Sequence, residues 1–375
     1  LDYWNAFGAL AALGAVLAGG LAADPRQRVL FRAIAAGLAV PLATAMYLSL
    51  SRGSWLALAA GLAVLVVLSA NRWSLLLTFA LVGGLVAIAV ILLRDYPALV
   101  DDPSAGAGQA AEGRSYGRTL LALTIVAVVA QGVLAAGHAS HGLMVGLRRV
   151  VRPILLATVA LAVLAVVGVY VAETDAVEEE SAERLASIEG FFEEQWDEFM
   201  QPGAVEAGGT ERLTTARGTR SDLYRVAIDG FEEHPLRGDG SGGFQPRFAL
   251  DREVEEEVRD AHSLYLETLG ELGLVGFLLL ALFIGSLAAA AVRARLRPTS
   301  MSRSQAAAVT AACAVWVAHA GVDWDWQMPA LTAVFFVLAA SLYPEGRRPA
   351  RRLRRPLARG MAPDALQRRR TGAVR

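Results

Sequence analysis

The sequence predicts an all-α membrane protein, a polytopic bundle of transmembrane helices with a helical polar domain on its outer face. Three observations predict it. Apolar residues make up 55% of the 375-residue chain, and they gather into runs of about 20, the length a helix needs to cross ~30 Å of hydrocarbon. Runs such as 56–70 and 75–93 carry no polar stripe at helical spacing, which excludes a water-soluble helical core. The arginines, finally, concentrate in alternate loops.

Spans are expected at roughly 4–22, 29–50, 53–70, 73–93, 119–137, 151–172, 271–292, 305–322 and 329–343, about nine in all by hydropathy. Four regions follow: helices with an outer loop at 94–117 over residues 1–172, a polar helical domain at 173–262, further spans at 263–345, and a basic tail at 346–375. All 35 basic residues are arginine, a coding bias without mechanistic content. Arg26, Arg28, Arg32, Arg72, Arg148, Arg149, Arg152, Arg293, Arg295, Arg297, Arg303 and the tail fall in one set of loops, expected to be cytoplasmic. The other set holds Arg52, the loop after Arg94, the acidic segment 173–260 and Asp323, and is expected to face outward. The chain begins with Leu1 and has no basic-then-apolar leader, so further spans are expected upstream. The one cysteine, Cys313, lies in an apolar run, and an intrachain disulfide is impossible.

The loop 95–117 is rich in Gly, Ala, Asp and Pro and reads as flexible. Leu185, Ile188, Phe192, Trp196 and Phe199 recur at helical spacing among acids, predicting an amphipathic helix that packs on protein rather than on anionic lipid. A second polar helix is expected from about Ser221, as N-cap, to the residue before Pro235. Gly238 to Gly243 form a turn that lets backbone approach a partner closely. A third helix is expected to carry His262, Tyr265, Leu266 and Leu269 on one side, with Gly270 and Gly273 loosening the start of the next span. The tail from Arg347 reads as disordered and drawn to anionic lipid.

Two blocks, H-P-L-x-G-x-G-x-G-x-F from His234 and H-x-x-Y-L-E-x-L-x-E-x-G-L-x-G from His262, resemble the O-antigen ligase and polymerase superfamily of bacterial membrane glycosyltransferases. S-R-G at 51–53 and D-W-D-W-Q-M-P-A at 323–330 fit the same family. Ser263 stands where the family usually has Asn. The resemblance implies a fold like that of the C-type glycosyltransferases, and a donor glycan carried on a polyprenyl diphosphate, of the undecaprenyl type. It also implies transfer to an acceptor glycan, lipid or protein at the outer face of the cytoplasmic membrane, by metal-independent inverting displacement. No cofactor and no nucleic-acid partner are expected.

Such a transfer breaks the bond between an anomeric carbon and a phosphate oxygen. The departing diphosphate needs cationic donors, and the planar guanidinium pairs with two phosphate oxygens at once. Arg52 sits at the outer end of a span, where positive charge is not the default; the competing reading is a side chain snorkelling to the headgroups. The family places an arginine shortly before the glycine block. Arg220 fits best and Arg225 competes, each with the alternative of a surface ion pair. The attacking hydroxyl needs a base with a pKa near working pH, and His262 fits; on residue type alone it is equally a half-buried helix histidine. Tyr265, Glu267 and Gly240 are candidate substrate contacts beside it. His319 lies about one turn before Asp323 and is expected on the cavity wall. Asp323 and Asp325, between Trp324 and Trp326, suit sugar hydroxyls under an aromatic platform, unless the tryptophans only form an interfacial belt.

His138 and His141, on the expected cytoplasmic side, read as incidental. Glu232, Glu233 and Glu255 to Glu257 read as solvated faces. No Walker, Rossmann, H-E-x-x-H or zinc pattern occurs. The rival class is a transporter for a small anion or solute, which calls for charges deep in the spans; a non-catalytic envelope scaffold is the third. The loop assignment predicts that Thr210→Cys and Ala365→Cys react with an impermeant maleimide from opposite sides of the membrane; labelling from one side would refute it.

Overall fold

The computed structural model describes residues 3–100, 107–139, 219–296 and 301–343, and no strand occurs among the described residues. Helix α1 runs Trp4–Ala22, α2 Val29–Leu48, α3 Arg52–Leu68 and α4 Arg72–Leu92. A 3₁₀ turn at Leu93–Asp95 and the short α5, Pro97–Val100, precede α6, Ala107–Ala139. The polar segment contributes α7, Arg220–Glu233, and α8, Phe244–Asp251. Then come the long α9, Leu264–Leu296, α10, Arg303–His319, a 3₁₀ turn at Asp325–Gln327, and α11, Pro329–Ser341. Pro329 stands at the start of its helix, where a missing N–H is no loss.

The protein is all-α and polytopic. Five helices among the described residues are long and apolar enough to cross a membrane, namely Trp4–Ala22, Val29–Leu48, Arg72–Asp95, Gly108–Gly137 and Leu264–Leu296. The expected spans at 53–70, 305–322 and 329–343 correspond to shorter helices of 17, 17 and 13 residues. The expected span at 151–172, the amphipathic helix at 185–199, His141 and the basic tail lie outside the described residues. Part of the loop read as flexible is helical: α6 already begins at Ala107, because the alanines and Glu112 favour helix more than the scattered glycines oppose it. Glu112 also accepts a hydrogen bond from the Ala98 amide at 2.9 Å. Likewise α7 begins one residue before Ser221, whose hydroxyl is buried with no hydrogen-bond partner among the described residues rather than capping the helix.

The bundle is held by small residues. Ala6, Ala9 and Ala12 of α1, Ala57 of α3, and Ala308, Ala311 and Ala312 of α10 are almost fully buried against one another. Without large side chains between them, the backbones approach closely and gain dispersion contact where burial from water is not the driving force. Trp316 stacks on Phe335 at 4.0 Å and fastens α11 to α10. A second cluster, with Ala36, Val40, Leu81, Leu85 and Ala127, joins α2, α4 and α6. The outward faces stay apolar: Leu279 and Leu282 of α9 and Val129 of α6 are at least 60% exposed, as suits helices solvated by lipid.

The polar helices have their own core of Leu223, Val226, Phe244, Phe248 and Ala261, and they are bound to α9 by a break in that helix. Gly273 has φ 60° and ψ −161°, so the helical ladder is interrupted there. The loop after α7 repairs it. Leu274 and Val275 donate their amides to the carbonyls of Pro235 and Leu236, while Gly270 and Glu271 accept from Asp239 and Gly240. Backbone groups freed by the break therefore remain paired, which a membrane boundary demands. The loop lies so close that a Cβ on Gly238, φ +62°, would meet the Glu271 carbonyl carbon at 2.3 Å, and one on Gly273 would meet the Leu236 carbonyl carbon at 2.5 Å. The two glycine-rich blocks are the two halves of one joint.

The starts of α1, α3, α7 and α9 and the end of α10 meet at one end of the bundle. At the other, the Ser302 hydroxyl donates to Asp24 at 2.7 Å and Arg295 donates to the Leu68 carbonyl at 3.0 Å, gathering loops from the set expected in the cytoplasm. Gly238→Ala should cost at least ~2 kcal/mol, combining a left-handed backbone with a backbone clash, whereas Gly240→Ala, which meets no atom within 4 Å, should cost about 1. Thermal unfolding in detergent compares them; equal losses would refute the joint.

Candidate functional site

The segment Val322–Trp324 collects the three residues read from the sequence as catalytic. Arg220 opens α7 and donates to Asp323 Oδ2 at 3.1 Å. His262 lies beside Trp324, ring centroids 6.1 Å apart. Arg52 opens α3, and the next residue, Gly53, packs so tightly that an added Cβ would meet Val322 Cγ2 at 3.1 Å. Since consecutive α-carbons are about 3.8 Å apart, the Arg52 backbone sits next to the same segment. Helix α7 ties two of these together: one turn after Arg220, the Tyr224 hydroxyl donates to the His262 carbonyl at 3.4 Å, and residues four apart share a helix face.

Asp323 is buried, 1% exposed, and fully engaged. Its carboxylate accepts from the Tyr3 hydroxyl at 2.9 Å, the Asn5 amide at 2.7 Å, its neighbour's backbone amide (Trp324) at 2.9 Å, and Arg220. It was expected to contact sugar hydroxyls; in the structure its place is behind Arg220, with one face of the guanidinium held and the side chain still 26% exposed. Burial, with the Asp323 carboxylate next, raises the pKa of the Tyr3 phenol, keeping it a donor. Burial also raises that of the Tyr224 phenol.

His262 differs from its sequence reading in one respect. It precedes the helix, which begins at Leu264, and has the left-handed φ of +53°. Such a conformation in a residue with a Cβ is strained and concentrates at functional sites. The surroundings enforce it. Glu267 accepts from the Ala261 amide at 2.9 Å, Ser263 Oγ from the Leu266 amide at 3.4 Å, and the Ala320 carbonyl from the Leu264 amide at 2.8 Å. Ser263 thus caps α9, a task for which Ser and Asn are both suited. His262 Nδ1 lies 3.1 Å from the Asp260 carbonyl oxygen. That oxygen only accepts, so Nδ1 carries the hydrogen, and in the neutral ring Nε2 is the nitrogen with the lone pair.

The remaining candidates divide. Glu267 also accepts from Gln327 at 2.6 Å, joining α9 to the 325–327 turn. The Tyr265 hydroxyl donates to the Val317 carbonyl. Both are used in holding the site together. Arg225 grips Asp222, Asp229 and Glu253, whereas Arg220 reaches Asp323; the geometry separates the two. Gly240 belongs to the α9 joint. His319 and Asp325 are buried together, Nδ1 to Oδ2 2.7 Å, and burial raises the Asp325 pKa. The two tryptophans also part: Trp324 lies between Tyr3 and His262, while Trp326 joins Trp316 and Phe336. Tyr3 and Asn5 were missed by sequence reasoning. Lone polar residues at the start of an apolar run give no signal until the fold sets them against Asp323.

The fold and this cluster define a polytopic helical membrane protein with a polar, arginine- and histidine-bearing centre at one end of its bundle. A family model described as O-Antigen ligase matches residues 114–281, the stretch with Arg220, the glycine loop and His262. Over that stretch the chain is similar to O-antigen ligases, a family of glycosyltransferase-type enzymes of polysaccharide biosynthesis, which implies a lipid-linked glycan donor and an acceptor. No curated protein matches it. Asp323→Ala should lower stability by about 2–3 kcal/mol, less than for a fully buried pair because Arg220 keeps contact with water. Asp323→Asn should lose less. Thermal melts of both variants check the order.

Proposed function

We propose that the protein transfers a glycan from a polyprenyl diphosphate carrier, of the undecaprenyl type, to an acceptor hydroxyl or amide at the outer face of the cytoplasmic membrane. Arg52 and Arg220 bind the diphosphate. Asp323 holds one side of the Arg220 guanidinium and leaves the other donors for phosphate oxygens. His262 Nε2 takes the acceptor proton as the acceptor oxygen bonds to the anomeric carbon. The bond from that carbon to the phosphate oxygen breaks, its electron pair leaves with the diphosphate, and the anomeric centre inverts. The two arginines make a divalent metal unnecessary. Residues 173–262 and Arg52 face outward in this reading, with the arginine-rich loops and tail in the cytoplasm.

One observation carries the reading: Arg220, His262 and the first turn of α3 meet at Val322–Trp324 from places far apart in the chain. The core of α1, α3 and α10 supports chemistry at the bundle's end rather than a transport path, since its residues between the two ends, such as Leu13, Val16, Leu65 and Ala312, are apolar and buried.

The test is transfer by the purified full chain from a lipid-linked glycan. His262→Asn, which tolerates the left-handed backbone, and His262→Ala should each reduce kcat by about 10²-fold or more. Arg220→Lys and Arg52→Lys should raise the donor KM. EDTA should leave the rate unchanged. Full activity in the histidine variants would refute the base assignment, and loss with EDTA restored by Mg²⁺ would refute the arginine assignment.

A further inference from the structure

Behind the proposed centre lies a buried polar chain that the reaction does not use. Asp325, His319 and Ser54 are 1%, 0% and 0% exposed. His319 Nδ1 stands 2.7 Å from Asp325 Oδ2, and His319 Nε2 stands 3.4 Å from Ser54 Oγ. The order is that of a nucleophilic triad, but the hydroxyl is sealed. It sits under the start of α1, where a Cβ on Gly8 would meet Ser54 Oγ at 2.5 Å, and it lies 3.4 Å from the Asn5 carbonyl. No substrate carbonyl fits there.

We propose that Asp325, His319 and Ser54 form a positioning relay that sets both arginines on the donor diphosphate; it rests on the reading of Arg52 and Arg220 given above. The relay has two outputs. The His319 ring supports the first turn of α3, since a Cβ on Gly53 would meet His319 Nε2 at 3.2 Å, and Arg52 is the preceding residue. Ser54 touches Asn5, whose side chain donates to Asp323 at 2.7 Å and to the Tyr3 hydroxyl at 2.8 Å. Asp323 in turn holds Arg220. Asp325 fixes the imidazole: accepting the Nδ1 hydrogen makes Nε2 the acceptor, and Ser54 then has one hydrogen to place between Nε2 and the Asn5 carbonyl. The order of these contacts therefore sets the register of α1 and α3 against the Val322–Trp324 segment.

A second observation sets this chain apart from ordinary packing. Asp325 Oδ1 is buried with no hydrogen-bond partner among the described residues. A half-satisfied carboxylate weakens a core that an apolar residue would fill better, so it calls for a role beyond stability.

The experiment uses the full chain in nanodiscs, with farnesyl diphosphate binding and donor-transfer kinetics as the two readouts. Arg220→Lys and Arg52→Lys establish whether the arginines bind diphosphate; binding indifferent to both overturns the arginine reading and the relay with it. Given that dependence, Asp325→Asn, nearly isosteric, should weaken farnesyl diphosphate binding about tenfold and raise the donor KM more than it lowers kcat. The double variant Asp325→Asn/Arg220→Lys should be little worse than Arg220→Lys alone, because the two act on one contact. Unchanged binding in Asp325→Asn, or full additivity in the double variant, overturns the relay while leaving the arginines in place. If Asp325→Asn does not fold, Ser54→Ala, which keeps the histidine–aspartate pair, carries the test. It should weaken binding about threefold, and wild-type affinity overturns the proposal. Labelling of the wild type by a fluorophosphonate, lost in Ser54→Ala, would likewise overturn it in favour of a nucleophile.

Discussion

The buried carboxylate of Asp323 sets the geometry of this end of the molecule. A carboxylate withdrawn from water must be paired and hydrogen-bonded or it neutralises. Here Tyr3, Asn5, the next backbone amide and Arg220 meet that demand. The partners come from the start of α1, from the turn after α10 and from the first residue of α7, so satisfying one group pins three segments. Gln327 and Glu267 extend the pinning to α9. Arg220 is positioned because it is needed, not because its surroundings are roomy.

The break in α9 works by the same rule applied to backbone. An interrupted helix leaves amides and carbonyls without partners, and lipid offers none. The loop from Pro235 to Gly240 supplies them and thereby carries α7 onto the membrane helix. The joint explains how a polar segment keeps a fixed relation to an apolar bundle, as placing Arg220 and Tyr224 over Asp323 and His262 requires. The left-handed backbone at His262 has a separate origin. The residue lies between two anchors, the Ala261 amide on Glu267 and the Leu264 amide on the Ala320 carbonyl, and between them it takes a φ of +53°.

The apolar part of the bundle has the opposite economy. Alanine and glycine let α1, α3 and α10 approach closely, and this close packing holds the starts of α1 and α3 under the turn at Val322. In these three helices the charged groups are gathered at the ends, and the apolar interior between them gives a rigid base for the site; a separate buried polar set, Arg32, Ser74, Thr78 and Gln131, joins α2, α4 and α6.

The sequence by itself determined the helical class and most helix positions among the described residues. Long apolar runs leave the backbone no choice but helix, and glycine, proline and charge mark their ends. It also determined that His234–Phe244 and His262–Gly276 are special, since glycine at fixed spacing has few other uses. Tertiary structure alone decided what they are special for: the two blocks face each other, because close backbone approach needs glycine on both sides. It alone separated Arg220 from Arg225, five residues apart and alike in composition, by bringing Asp323 to one and Asp222, Asp229 and Glu253 to the other. His319, which spacing placed on a cavity wall, and Asp325, read as a contact for sugar hydroxyls, became a buried pair. Tyr3 and Asn5 acquired their roles only in the fold. A carboxylate chooses its donors by distance in space, and separations of about 320 residues leave no trace in a local pattern.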